Sequence, residues 1–478
     1  MAQVIKFPDI ALQHRRILLL VSLLYFLLLP TQLRAVTYVD FIGDDPEKLP
    51  PYPALHEESS DDEHQVDTMQ YQSVTPENPD PDSPAAESSR DLELAISLFT
   101  QAAKETPENF LISPDGLFRS LAPVLMGATG ETRRLLQSYL GDRYSEPPPA
   151  AATATSSAFA QDDYFVSNTL LLSDDLVIKE TYLEEAKQVN VDVRENIRFR
   201  DPASLEILAD KLNELFSELT RGMVPKFCHA SEWSTDTTLG LISSVYFKGL
   251  WRDSFSIREA GSFTLPDDDK DDDKRVLLDK WMLGEISSSQ YAEHNYWQAV
   301  TVPYRGAHQM ILVLPPEGIM PHEISAGTVM ALFSSLDSQG LYPYQSSSKI
   351  TIGLPPFKVD SDIELSRFLR KTPLGAVFTG AVLRSSLELG AMLSDPRGAS
   401  INLVRQHCAI EVNKDGTRAA AVTRISTTRG GGGGSHRKSI QFNRPFAYFV
   451  RDEKTGEILF VGQVVDPRST SKSGTGSH

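Results

Sequence analysis

Cysteine is nearly absent. Cys228 and Cys408 are the two in 478 residues, so at most one disulfide forms, and a pair of buried free thiols is the alternative. A long apolar run is missing too. Residues 17–29 hold thirteen residues in which Ser22 and Tyr25 alone carry polar groups, short of the roughly 20 that a spanning helix needs. Preceded by His14-Arg15-Arg16, the run has the pattern of a secretory signal covering residues 1–35, with an uncleaved anchor as the alternative. A secreted chain without membrane attachment after cleavage is the expectation. There is no basic excess: 46 Lys and Arg stand against 64 Asp and Glu, which argues against nucleic acid as a partner. No His-Glu-x-x-His, Gly-x-Ser-x-Gly, Cys-x-x-Cys or complete Gly-x-x-x-x-Gly-Lys-Ser/Thr occurs, so neither an enzyme nor a cofactor is expected. The glycines at 430–434 lack the buried strand and following helix of a phosphate cradle and read as a flexible loop.

Much of the charge sits in one place. Of the net −18, residues 40–87 contribute fourteen acidic residues and one lysine, which leaves −5 for the rest. Residues 36–90 are rich in Pro, Asp, Glu and Ser, cannot bury enough apolar surface to offset ordering, and read as a disordered arm. Within it, His56-Glu57-Glu58 and Asp61-Asp62-Glu63-His64 match no helical metal spacing, and the acidic run at 267–274 lacks the central glycine of a calcium loop, so no metal is expected.

The folded body is expected over 91–468, with a tail at 469–478. Leu92, Ala95, Ile96, Leu98 and Phe99 recur at helical spacing, and Ser113-Pro114 has a cap and a proline suited to the next helix start. Strands are predicted over 164–172, 237–248 and 310–314, and helices over 179–189 and 205–220. The alternating run at 349–359 meets Pro355-Pro356, which marks an edge or an exit.

One stretch organises the rest. After a strand end at 409–412, Asp415-Gly416 supplies a turn, and the following residues alternate: Thr417, Ala419, Ala421, Thr423 and Ile425 share one face, while Arg418, Ala420, Val422 and Arg424 share the other. Gly416-Thr417 and Ala419-Ala420-Ala421 resemble the hinge of the serpin family. Asn109-Phe110-Leu111-Ile112-Ser113-Pro114, Phe247-Lys248-Gly249-Leu250-Trp251, Val302-Pro303-Tyr304, Phe442-Asn443-Arg444-Pro445-Phe446 and Phe460-Val461-Gly462 resemble further landmarks of that family. Lys414 stands where the family carries a hinge glutamate, and Gly116, Ser243 and Gln406 stand where its shutter carries serine, asparagine and histidine.

The resemblance implies an α+β serpin fold, with helices around a large mixed main β-sheet, two further sheets and an exposed reactive-centre loop at about 414–438. It implies a monomer that offers the loop to a trypsin-like serine protease, is acylated, and inserts the cut loop as a new strand in a covalent complex. The bait is expected at Arg429-Gly430, with Arg437 and Lys438 as the other basic candidates. Both arginines of the outer face are expected to stay in water. Relatives that answer to heparin carry basic residues on a helix in the region of residues 141–163. Residues 146–164 have none, so glycosaminoglycan is not an expected partner. Tyr38, Tyr52 and Tyr71 lie in or beside the acidic arm, which one branch of the family uses on protease exosites; a solubilising tail is the simpler reading. A non-inhibitory carrier, chaperone or substrate is the alternative function.

Overall fold

The computed structural model describes residues 84–141, 163–188, 192–219, 228–266, 274–287, 289–340, 349–378, 387–417 and 438–469. In chain order they form α1 (Pro84–Glu105), β1 (Phe110–Ile112), α2 (Pro114–Gly127), α3 (Gly130–Leu140), β2 (Asp163–Ser173), α4 (Glu180–Gln188), β3 (Asp192–Ile197), α5 (Pro202–Leu219), β4 (Leu239–Leu250), β5 (Ser256–Arg258), β6 (Gly261–Leu265), β7 (Lys274–Leu278), β8 (Trp281–Ile286), β9 (Tyr291–His294), β10 (Trp297–Pro303), β11 (His308–Leu314), α6 (Ala326–Gly340), β12 (Ile350–Leu354), β13 (Phe357–Glu364), α7 (Ser366–Leu369), α8 (Gly375–Phe378), β14 (Ile401–Asn413), β15 (Gly416–Thr417), β16 (Ser439–Gln441), β17 (Phe446–Asp452) and β18 (Ile458–Val464).

The main sheet runs β13-β14-β15-β4-β2-β3, with β14 also pairing directly to β4. A second six-stranded sheet, β1-β18-β17-β11-β10-β9, is antiparallel throughout. The third has the order β16-β12-β8-β5, and β6–β7 form a separate hairpin on either side of the acidic run. The α+β architecture therefore stands as the sequence implies.

Strand β4 is buried on both faces, which is why it reads as a near-continuous apolar run rather than an alternation. On one face Val245 and Phe247 join a core with the second and third sheets; on the other Ile242 and Tyr246 pack against α5. Helix α5 supplies Leu205, Ala209, Leu212 and Phe216 to that contact, a stripe at helical spacing. Pro355-Pro356 carry the chain out of β12 and into β13, the outermost strand of the main sheet.

Helix α1 begins at Pro84, seven residues inside the segment read as disordered. Proline suits a first helical turn, and Ala85, Ala86 and Glu87 behind it are good helix formers, a signal hidden by the acidic composition around them. Residues 1–83 lie outside the described residues. Cys228 and Cys408 are both free and buried, and burial pushes the Cys408 thiol well above its usual pKa. The open choice between one disulfide and two buried thiols is thus decided for the thiols.

Candidate functional site: the seam of the main sheet

Strands β14 and β4 run parallel and pair directly from Ile401/Leu239 to Ala409/Tyr246. Beyond that level they diverge, and β15 fills the gap. Val412 and Asn413 of β14 face Thr417 and Gly416, which on their other side face Gly249 and Leu250 of β4, antiparallel to both. The chain reaches this position through a tight turn at Lys414-Asp415. Its carbonyls accept from Phe255 N at 2.9 Å and Trp251 N at 3.0 Å, and Asn413 Oδ1 accepts from Asp415 N at 3.0 Å. Lys414 Nζ turns back on Asp415, at 2.9 Å from its carboxylate.

Two residues make the entry possible. Gly416 has φ +153°, and a Cβ there would stand 2.1 Å from the carbonyl oxygen of Gly249, so the sheet closes around it only because it has no side chain. Thr417 is 0 % exposed, and its hydroxyl is hydrogen-bonded to that of Tyr304 at 2.7 Å. Tyr304 is held face to face with Trp251, ring centroids 4.4 Å apart, and edge-on to Phe247 at 4.9 Å. A buried hydroxyl on this aromatic floor needs a partner, and Thr417 and Tyr304 supply each other's.

Below β15 the seam is gripped from inside by the first turn of α2. Gln406 of β14 makes two bonds to the backbone of one residue: Ser113 N donates to its Oε1 at 2.7 Å, and its Nε2 donates to Ser113 O at 2.9 Å. Gly116 lies against this amide. An added Cβ there would meet Val245 Cγ2 at 2.5 Å and Gln406 Nε2 at 3.2 Å. On the β2 side, Tyr164 Oη donates to Asp115 Oδ2 at 2.6 Å. Burial alone would raise the Asp115 carboxyl; the Arg119 guanidinium, 2.7 Å away, together with hydrogen bonds from Glu457, Arg119 and Tyr164 holds it below the usual value. The Tyr164 hydroxyl is pushed well up by burial and by that carboxylate. Between the two grips lie Ser243 and Asn168, directly opposite each other. Ser243 Oγ and Asn168 Oδ1 have no hydrogen-bond partner among the described residues.

The described chain resumes at Lys438, whose carbonyl accepts from Thr351 N at 2.9 Å as β16 enters the third sheet beside β12. Its ammonium lies 3.9 Å over the Tyr291 ring and 3.9 Å from Glu293 Oε2. Tyr291 Oη donates to the same carboxylate at 2.7 Å. Of the residues singled out in the sequence, Gly416 and Thr417 are thus in the sheet and Lys438 is docked. Ala419, Ala420, Ala421, Arg429, Gly430 and Arg437 lie outside the described residues.

A model of the family described as "Serpin (serine protease inhibitor)" matches residues 89–467. The chain belongs to the serpin family. Neuroserpin of Gallus gallus is 25% identical over 403 residues, covering 80% of this serpin and 92% of that relative. Among solved structures, Serpin48 of the insect Tenebrio molitor is similar with a TM-score of 0.63 at 19% identity, covering 80% of this serpin and 98% of that chain. Thyroxine-binding globulin in complex with thyroxine has a TM-score of 0.60 at 18% identity over 81% and 100% of the two chains.

Sequence reasoning passed over Tyr304 as a contact of the hinge, Asp115 as a buried acid and Lys438 as an anchor. A signal existed for two of them. Tyr304 ends an apolar strand that has to satisfy its hydroxyl, and Asp115 sits two residues after a helix cap, where a carboxylate is favoured by the helix dipole.

Proposed function

We propose that this serpin inhibits trypsin-like serine proteases as a suicide substrate, with Arg429-Gly430 as the bond attacked. The protease serine adds to the Arg429 carbonyl and leaves an acyl ester there, and the amine of Gly430 departs with the proton. The freed hinge then runs down between β4 and β14, taking the ester-linked protease with it before water hydrolyses the bond.

The observation that supports this is the register of β15. Continued downward, the pairing of Thr417 with Val412 and Gly249 would bring Ala419 opposite Ile410 and Phe247, Ala421 opposite Cys408 and Val245, and Thr423 opposite Gln406 and Ser243. In the closed seam Gln406 already pairs with Ser243, and Cys408 with Val245. The two flanks are therefore in phase for the incoming strand, and insertion needs lateral separation of about 4.8 Å with no slide along the strands. On the outer face Arg418 would lie beside half-exposed Lys248 and Glu411. Arg424 would lie beside Ile242 and Arg405, both buried, and α5 covers Ile242. On this register Arg418 would stay in water, whereas α5 would have to give way for Arg424.

The same register supports the choice of Arg429. Leu239, the first residue of β4, would face Thr427, so Arg429 would emerge just past the end of the strand. From Thr417 to Arg429 the chain covers about 40 Å at roughly 3.3 Å per residue. A cut at Arg437 would add eight residues, about 26 Å of slack, and leave the tethered protease unstrained. Lys438 is spoken for by Tyr291, Glu293 and β12, whereas an arginine suits the acidic pocket of a trypsin-like enzyme.

The alternative is a non-inhibitory serpin, a reading that the likeness to thyroxine-binding globulin keeps in view. Incubation with trypsin separates them: an SDS-stable adduct is expected, with a released peptide that begins at Gly430. Arg429→Ala abolishes it and Arg437→Ala leaves it intact. Cleavage without adduct, or a peptide starting at Lys438, refutes the proposal.

A further inference from the structure

Away from the seam, the hairpin between β9 and β10 carries a feature that packing does not explain. His294 pairs with Trp297, so Asn295 and Tyr296 alone make the turn, with φ +50° and +65°. A two-residue turn with both φ positive calls for glycine at its second position, and a bulky side chain there is strained. Tyr296 occupies it while 81 % exposed, so burial of the ring does not offset the strain. Strain kept at an exposed aromatic points to a contact outside the chain.

The neighbourhood indicates which contact. Strand β9 is the edge of its sheet, and its Tyr291 and Glu293 hold Lys438, the residue at which the loop re-enters the fold. Tyr296 is three residues beyond Glu293, at most about 10–11 Å along the chain. Arg429 lies nine residues before Lys438, at most about 30–32 Å of extended chain, so a protease seated at the proposed cut is within reach of the hairpin. The surface it meets favours cations: the face of an exposed tyrosine attracts them, and the half-exposed Glu293 carboxylate is only loosely matched by Lys438 at 3.9 Å.

We propose that the tip of the β9–β10 hairpin is a second docking surface for the protease held by the loop, with Tyr296 and Glu293 receiving a cationic side chain of that protease. This deepens the inhibitory reading and rests on it.

Trypsin whose catalytic serine is replaced by alanine binds the loop without acylation, so its affinity reads docking alone. Tyr296→Gly fits the turn and is expected to melt no lower than the parent, yet to bind inert trypsin about fivefold more weakly. Tyr296→Lys, which adds a like charge, is expected to bind at least tenfold more weakly, and added salt narrows that gap. With active trypsin, both variants still form the SDS-stable adduct, more slowly. Equal affinity of Tyr296→Gly and parent, loss of affinity only in step with a lowered melting temperature, or a parent that does not bind inert trypsin each overturns the docking surface. Docking that behaves as expected while active trypsin gives no adduct overturns the inhibitory mechanism alone.

Discussion

Thr423→Glu is the sharpest probe of the insertion register. The side chain would enter between Ser243 and Gln406, both 3 % exposed, on the face that packs against the first turn of α2. Gln406 is committed to Ser113, and the Arg119 guanidinium of the same helix is already engaged by the Asp115 carboxylate. Burying an unpaired charge costs several kcal/mol in proteins after relaxation; about 4 kcal/mol is a reasonable figure. At about 1.4 kcal/mol per factor of ten, the insertion step slows roughly a thousandfold. Hydrolysis of the acyl ester is untouched, so the variant partitions to cleaved substrate. The assay is the stoichiometry of inhibition against trypsin, read beside the SDS-stable adduct. Arg418→Gln is the control on the opposite face, beside half-exposed Lys248 and Glu411, and is expected to leave the stoichiometry unchanged. Thr423→Glu trapping trypsin as well as the parent would refute the register, and with it the role given to the seam.

Gly416→Ala puts a methyl group 2.1 Å from the Gly249 carbonyl oxygen; the hinge is expected to leave the sheet, with faster proteolysis at 414–417 and a lower melting temperature, both measurable before any protease is trapped. Asp115→Asn tests the inner grip by pH. Because the Asp115 carboxyl is held below its ordinary value in the fold, its stabilising effect is complete above the unfolded value and is lost as pH falls through the lowered folded one. The variant should therefore melt lower than the parent at pH 7 and converge with it in acid; a gap that persists at pH 2 would contradict this. Cys228 and Cys408, both buried, are expected to resist a thiol reagent in the native chain and to react together on unfolding, and rapid labelling of Cys408 in the native chain would show the seam opening on its own.

The fold was legible where physics forces a pattern that one element alone can satisfy. Ser113-Pro114 identified the start of α2, because cap chemistry is local, and Asp415-Gly416 marked the turn that leads into β15. What stayed hidden was long-range. Gln406 grips Ser113 from 293 positions away, and nothing in either neighbourhood announces the other. Tyr304 and Thr417 each look ordinary until the sheet brings their hydroxyls together. The start of α1 was obscured differently: composition is averaged over a window, so three good helix formers after Pro84 were outweighed by the acidic residues before them. Alternation tells which residues share a face and not what lies over that face, so the cover that α5 puts over Ile242 could not be read from it.

Gly116 sets the order in which this serpin's sequence can change. Its missing side chain is the space that Val245 and the Gln406 amide now fill, so a return to the family's serine has to push aside a branched carbon 2.5 Å away, an overpacking worth about 1–3 kcal/mol. Replacing Gln406 with the family's histidine first would sever both bonds to Ser113 while leaving Gly116 with nothing to offer in exchange. Each single step is uphill from this side, and a joint exchange at 116 and 406, with room made at 245, avoids both costs. Those positions behave as one inherited unit: they should vary together among kindred chains, and grafting any one of them into a relative should cost stability that the full set restores.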